Sequence, residues 1–229
     1  MRSLFDLFLK AQLRWRKCIW LRRAVAMAAL LAAAGGASLQ FAAPAPETQA
    51  RDTSALHPPA GARVAIVEFD DLECPACAHA NPILKGAAEK YRIPWVRHDF
   101  IIPTHIWSRN AAIYARRFDT KSQALGDEYR DEVFANQTYI YNLGMLSQFT
   151  QKFAASHGVT LPFAVDPQNK LAAEVQADSD LARRTGITQT PTVFIVTANS
   201  KGAPFIQVKS VDQDLYQDID RALADTRGK

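Results

Sequence analysis

The sequence predicts an α/β domain, a central mixed β-sheet flanked by helices, with a helical subdomain inserted into it. Three observations lead there. Val64-Ala65-Ile66-Val67-Glu68-Phe69 is apolar at nearly every position, the pattern of a strand buried on both faces. A helix-forming segment and a second strand pattern, Trp95 to Phe100, follow it and make a parallel βαβ unit with a right-handed crossover. Residues 104–186 then carry helical patterning, more than one crossover between strands needs.

The 229 residues suit one domain of moderate size with additions, and an apolar content of 48% supports a sizeable core. The net charge of +4 is local in origin. Seven of the 27 Lys and Arg residues, but only one of the 23 acids, fall within residues 1–43, which leaves the rest of the chain near −2. No basic stripe marks the folded part, so no nucleic-acid partner is expected. Residues 1–23 are basic, and Ala24 to Ala43 form an apolar run. Two readings stay open. Ala24–Ala34 fits the apolar region of a signal peptide, with Gly35-Gly36-Ala37 as a cleavage site. The full run, about 20 residues, also reaches the length of a membrane anchor. Positive charge on one flank only orients the remainder outside the cytoplasm in either case. Cys18 lies in that flank and is assigned no role.

Residues 44–61 hold Pro44, Pro46, Pro58 and Pro59 among Ala, Thr and Ser, a semi-extended linker composition that is not expected to pack. The domain is expected over 62–229, with its helical insertion over about 104–186. After the first strand, Ala76 to Tyr91 is rich in good helix formers, with Pro82 placed to kink the helix. Thr104, Thr120 and Asn142 are candidate caps for three helices, and Asp166-Pro167 opens a fourth that stops at Gly186. Thr192 to Val196 is a buried strand pattern. A turn at 199–202 leads to a short strand over 204–208, antiparallel by hairpin logic, and a closing helix over 212–225.

Chemistry concentrates at Cys74-Pro75-Ala76-Cys77. Two thiols three apart at a helix start can close a disulfide with each other. Cys74 stands at the positive end of the helix, near unpaired N–H groups, where thiolate is favoured over thiol and the sulfur becomes both nucleophile and leaving group. Pro75 falls at the first helical position, where its missing N–H costs nothing. A zinc site lacks a second cysteine pair, and haem attachment would need His where Ala78 stands. Asp70 and Asp71 read as solvated turn acids, whereas Glu73 puts an opposing charge beside Cys74. His79, His98 and His105 read as structural or surface residues.

These residues resemble the thioredoxin fold and, within it, the DsbA-like branch of extracytoplasmic thiol–disulfide oxidoreductases. The resemblance runs from about Ala62 to Thr226. It rests on Val67-Glu68-Phe69 ahead of the cysteines, Pro82 in the active-site helix, the helical insertion, and Thr190-Pro191 ahead of the third strand. It implies that Cys74 is the exposed attacking sulfur and Cys77 the shielded resolving one. It implies a cis Thr190–Pro191 bond whose loop pairs with a substrate peptide in strand fashion. Glu68 matches the family's buried carboxylate, catalytic as a general base of raised pKa, and an acid inside an apolar strand is costly unless it is used. No bound cofactor and no metal are implied. The partners would be cysteine-containing protein substrates and a membrane redox partner, in the periplasm, with the N-terminal segment as signal peptide or membrane anchor. Ala76 departs from the strongly oxidising members, which carry His in this dipeptide, so a milder oxidant is expected and the direction of electron flow stays open. The alternative class is a thioredoxin-fold metal carrier or peptide-binding chaperone; a carrier would need a third soft or imidazole ligand.

Overall fold

A computed structural model describes residues 52–198 and 204–227. Their order is β1 (Val64–Asp70), α1 (Pro75–Tyr91), β2 (Trp95–Asp99), α2 (Ser108–Asp119), α3 (Gln123–Asn136), a 3-10 turn (Gln137–Tyr139), α4 (Leu143–Ser156), α5 (Lys170–Thr185), β3 (Thr192–Thr197), β4 (Phe205–Gln207) and α6 (Leu215–Asp225). The sheet runs β2-β1-β3-β4, with β2 parallel to β1 and β3 antiparallel to it. β4 pairs antiparallel to β3, as hairpin logic predicted. The basic flank, Cys18, the apolar run 24–43 and the turn expected at 199–202 lie outside the described residues. Among the described residues no helix is long and apolar enough to cross a membrane.

β1 is an inner strand of the sheet, as its apolar side chains at five of seven positions suit. All seven of its residues are buried. Val64 and Ile66 pack with Leu84 and Ala87 of α1 and with Leu215 and Ile219 of α6. Ala65, Val67 and Phe69 pack on the opposite face with Ala182 of α5. Each buried side chain of this size contributes about 1.5–3 kcal/mol relative to exposure. A third cluster joins Leu72, Cys74 and Cys77 to Trp107, Phe118, Tyr129 and Phe153. The two cysteines therefore belong to the core of the inserted helices. α5 returns to cover the sheet, so the insertion proper is α2 to α4.

Several boundaries differ from expectation for local reasons. α2 begins at Ser108, four residues after Thr104, because its start is held by a carboxylate from elsewhere in the chain. Ser122, and not Thr120, caps α3 by accepting the Leu125 N–H at 3.1 Å. The Thr120 hydroxyl instead donates to the Arg117 carbonyl and closes α2. Asn142 caps α4 and Gly186 ends α5 in the left-handed region at φ 81, both as expected. α5 starts at Lys170, and Asp166 accepts the Ala172 N–H at 2.8 Å. α1 runs on through Pro82 to Tyr91. The segment expected to be an unpacked linker is packed in its described half. Asp52 bonds Arg184 and Thr185 through its backbone and carboxylate, and Leu56 is buried against Phe69 and Ala182. Leu56, among prolines and small residues, and the Asp52 bonds together hold it to α5 and the sheet.

Candidate active site

β1 ends at Asp70, and the chain turns through Asp71–Glu73 into α1. Asp71 shapes the turn: one carboxylate oxygen accepts the Glu73 N–H and the other the Ile102 N–H, both at 2.8 Å. His105 Nδ1 stands 3.0 Å from the same group. Glu73 accepts the N–H groups of Trp107 and Ser108 at 2.7 and 3.0 Å, satisfying two orphan donors at the start of α2. The turn ahead of the cysteines thus holds the start of α2 in place. Gln137 adds a bond from its side chain to the Leu72 carbonyl at 2.9 Å.

One expectation about this turn is corrected. Asp70 and Asp71 are not solvated; each is 1% exposed. The Glu73 carboxylate, expected as an opposing charge beside Cys74, is engaged by the N–H groups at the start of α2.

Cys74 is the N-cap residue of α1, in an extended conformation, with Pro75 directly inside the helix. Pro75 and Ala76 are exposed, and both cysteines are free thiols. The resemblance implied an exposed Cys74. It is 8% exposed against 0% for Cys77, so the order holds while the outer sulfur is itself largely covered. A hydrogen bond from the Cys77 thiol holds the Cys74 thiol down to about 5 against the effect of burial. The Thr190 side chain and the Cys77 and Ala76 backbone N–H groups act in the same direction. Burial pushes Cys77 far above the ordinary thiol range, and its role as donor to Cys74 and the charges of Asp70 and Glu68 add to this. At neutral pH the outer sulfur is a thiolate and the inner one a thiol.

The Thr190–Pro191 peptide bond is cis, as the resemblance implied. This loop lies against the outer sulfur, with the Cys74 Sγ 3.5 Å from the Thr190 carbonyl oxygen.

Beneath the pair lie two carboxyls. Glu68 is 1% exposed and accepts the Trp95 Nε1–H at 3.0 Å. Burial pushes Glu68 up to about 8, and the charge of Asp70 adds to the rise. Asp70 accepts from Arg97 Nε and Nη2 at 3.2 and 3.0 Å. Burial raises Asp70 too, against the pull of Arg97. The structure thus brings Cys74, Cys77, Glu68, Thr190 and Pro191 to one place. It adds Asp70, Glu73, Trp95 and Arg97, which sequence reasoning did not assign to the site. The available signal was the alternation of β2, which puts Trp95 and Arg97 on one face of the sheet. Among the described residues no cluster of three or more His, Cys, Asp or Glu could hold a metal ion.

A family model described as thioredoxin matches residues 59–204. The chain belongs to the thioredoxin family. No curated protein matches. Among solved structures, this family member is similar to oxidised BdbD from Bacillus subtilis. The identity is 18%, over 77% of this chain and 95% of that one, with a TM-score of 0.58. Pseudomonas aeruginosa DsbA2 matches at 22% identity over 76% of this chain and 95% of its own, with a TM-score of 0.53. A periplasmic thioredoxin-like protein from Salmonella enterica serovar Typhimurium matches at 21% identity over 70% and 84%, with a TM-score of 0.55. The fold of this thioredoxin family member is the DsbA-like one.

Proposed function

We propose that the chain is an extracytoplasmic thiol–disulfide oxidoreductase that exchanges disulfides with cysteine-containing proteins through Cys74 and Cys77. The observation that carries this reading is the split between the two sulfurs: a thiolate at the helix start and, one turn deeper, a buried thiol that donates to it. In the oxidising direction a substrate thiolate attacks Cys74 of the Cys74–Cys77 disulfide. Cys77 leaves as a thiolate and needs a proton. Glu68, still protonated at neutral pH, supplies it, so the expected base works first as an acid. A second substrate thiolate then attacks the substrate sulfur of the mixed disulfide. Cys74 leaves as the stabilised thiolate, the substrate carries a new disulfide, and Glu68 is reprotonated from solvent.

The cis loop at Thr190 supports pairing with an extended substrate backbone. Exposed Ile106, beside Trp107, and Tyr139, two residues from Gln137, flank the active-site turn and suit unfolded polypeptide. After each cycle the chain holds two thiols, so a membrane redox partner is the natural acceptor for an oxidase. The location rests on the basic flank ahead of the apolar run 24–43 and agrees with the neighbour described as periplasmic.

One experiment tests chemistry and location together. The full chain is expressed in bacteria that lack their own periplasmic oxidase, with an exported reporter enzyme active only when disulfide-bonded. Restored reporter activity is expected. An inactive reporter, with the chain present at normal level, contradicts the reading.

A further inference from the structure

We propose that Asp70, held by Arg97, is a positioning residue for proton transfer: it keeps the negative charge of a buried carboxyl pair and so leaves the proton on Glu68, ready for Cys77. This rests on the proton role of Glu68 proposed above.

Glu68 and Asp70 are two residues apart on β1, so both side chains leave the same face of the strand. Each is 1% exposed. Their donors differ in kind. Glu68 receives one neutral indole N–H, from Trp95. Asp70 receives two N–H groups of a permanent cation, Arg97. Two neighbouring buried carboxyls do not both ionise without large cost, and the cation decides which one does. The other charged groups around the pair are already committed. Asp99, next along β2, is held by Arg116 Nε at 2.8 Å. Arg130 of α3 is held by Asp119 at 2.8 and 2.9 Å. Asp131 of α3 binds Lys85 at 2.7 Å and lies 3.7 Å from Arg97 Nη1. From α1 the pair faces Cys74 and Cys77, and β3 places Val193 beside Glu68. Among the described residues, Arg97 is the one cation that donates to either carboxyl.

The charge on Asp70 also faces Cys77, where it opposes a thiolate. When the disulfide opens, the electron pair of the S–S bond stays on Cys77. That sulfur takes the Glu68 proton, giving a thiol and a Glu68 carboxylate with no net change in charge. Trp95 and Arg97, which hold the two carboxyls, line a cleft of about 640 Å³ whose walls include neither cysteine. Water there can return the proton while a substrate covers Cys74.

The test uses the oxidised full chain and dithiothreitol. The rate of opening of the Cys74–Cys77 disulfide, per dithiothreitol thiolate, is followed against pH. In the wild type it falls as pH rises through the Glu68 midpoint, by about 10-fold or more. In Glu68→Gln the fall is absent. Asp70→Asn moves the midpoint down and Arg97→Met moves it up, each by about one pH unit or more. The double variant leaves no charge unpaired; if one single variant fails to fold, the double variant is compared with the other, and its midpoint lies below that of Arg97→Met, or above that of Asp70→Asn, by about one pH unit or more, whereas equal midpoints overturn the role of Asp70. A midpoint that stays in place in all three, with the fall still absent in Glu68→Gln, overturns the role of Asp70 alone. A fall that persists in Glu68→Gln overturns the proton role of Glu68, and this inference with it. A purely structural ion pair would change the unfolding midpoint and leave the pH midpoint where it was.

Discussion

Cys74→Ser abolishes disulfide exchange, and Cys77→Ser accumulates substrate proteins on Cys74 as mixed disulfides. Both outcomes follow from the order of the sulfurs. Serine at 74 removes the nucleophile held as thiolate by the Cys77 thiol, Thr190 and two backbone N–H groups. Serine at 77 keeps an outer sulfur at the helix start but removes the group that attacks the mixed disulfide and releases the substrate. Non-reducing gels of acid-quenched cells, probed for the chain, read both variants. Alkylation of the reduced protein near pH 6 labels Cys74 and spares Cys77, since only Cys74 is ionised there. Trapping on the Cys74→Ser variant, or labelling of Cys77 first, would reverse the assignment.

Arg130→Met destabilises the protein by about 3–5 kcal/mol, the range for breaking a buried ion pair from one side. Arg130 is 4% exposed, and its two terminal nitrogens grip the Asp119 carboxylate. Its removal leaves Asp119 without that cation at the joint between α2 and α3. Gly126→Ala reaches the same joint by another route. A Cβ there would overlap the Asp119 carboxylate and stand 3.0 Å from Arg130 Nη1, so the pair must separate or α3 must shift. Replacing both partners, as Asp119→Leu with Arg130→Met, costs much less than Arg130→Met alone. Guanidinium unfolding midpoints of the reduced protein at one pH check all three. An Arg130→Met variant as stable as the wild type would show that the joint carries no net stability.

Much of the scaffold was legible because its signals are local. The apolar run of β1, the helix formers after Cys74, the Asn142 cap and the Gly186 stop each act within a few residues, and each is found close to where the pattern puts it. The cysteine pair was legible for the same reason. The cis bond at Thr190–Pro191 was not readable from the residues themselves, because trans is the ordinary state; the family resemblance supplied it. What escaped depends on contacts distant in sequence. Glu73 caps a helix that starts 35 residues later, so only its charge could be read and not the donors that engage it. Asp70 and Asp71 look like turn acids until the β2 strand and the 101–108 loop close over them. Leu56 looks like part of a linker until α5 and the sheet supply its pocket.

The most direct measurement is the reduction potential of the Cys74–Cys77 pair in the full chain, by equilibration with glutathione and alkylation. The helix start and the donors to Cys74 favour the reduced state, while Ala76 brings no imidazole, so the predicted value lies between about −270 mV and about −120 mV. The Ala76→His variant should be the more oxidising of the two. A wild-type potential below about −300 mV would make the bond a structural one and contradict the account, as would a pair that forms no disulfide at any glutathione ratio.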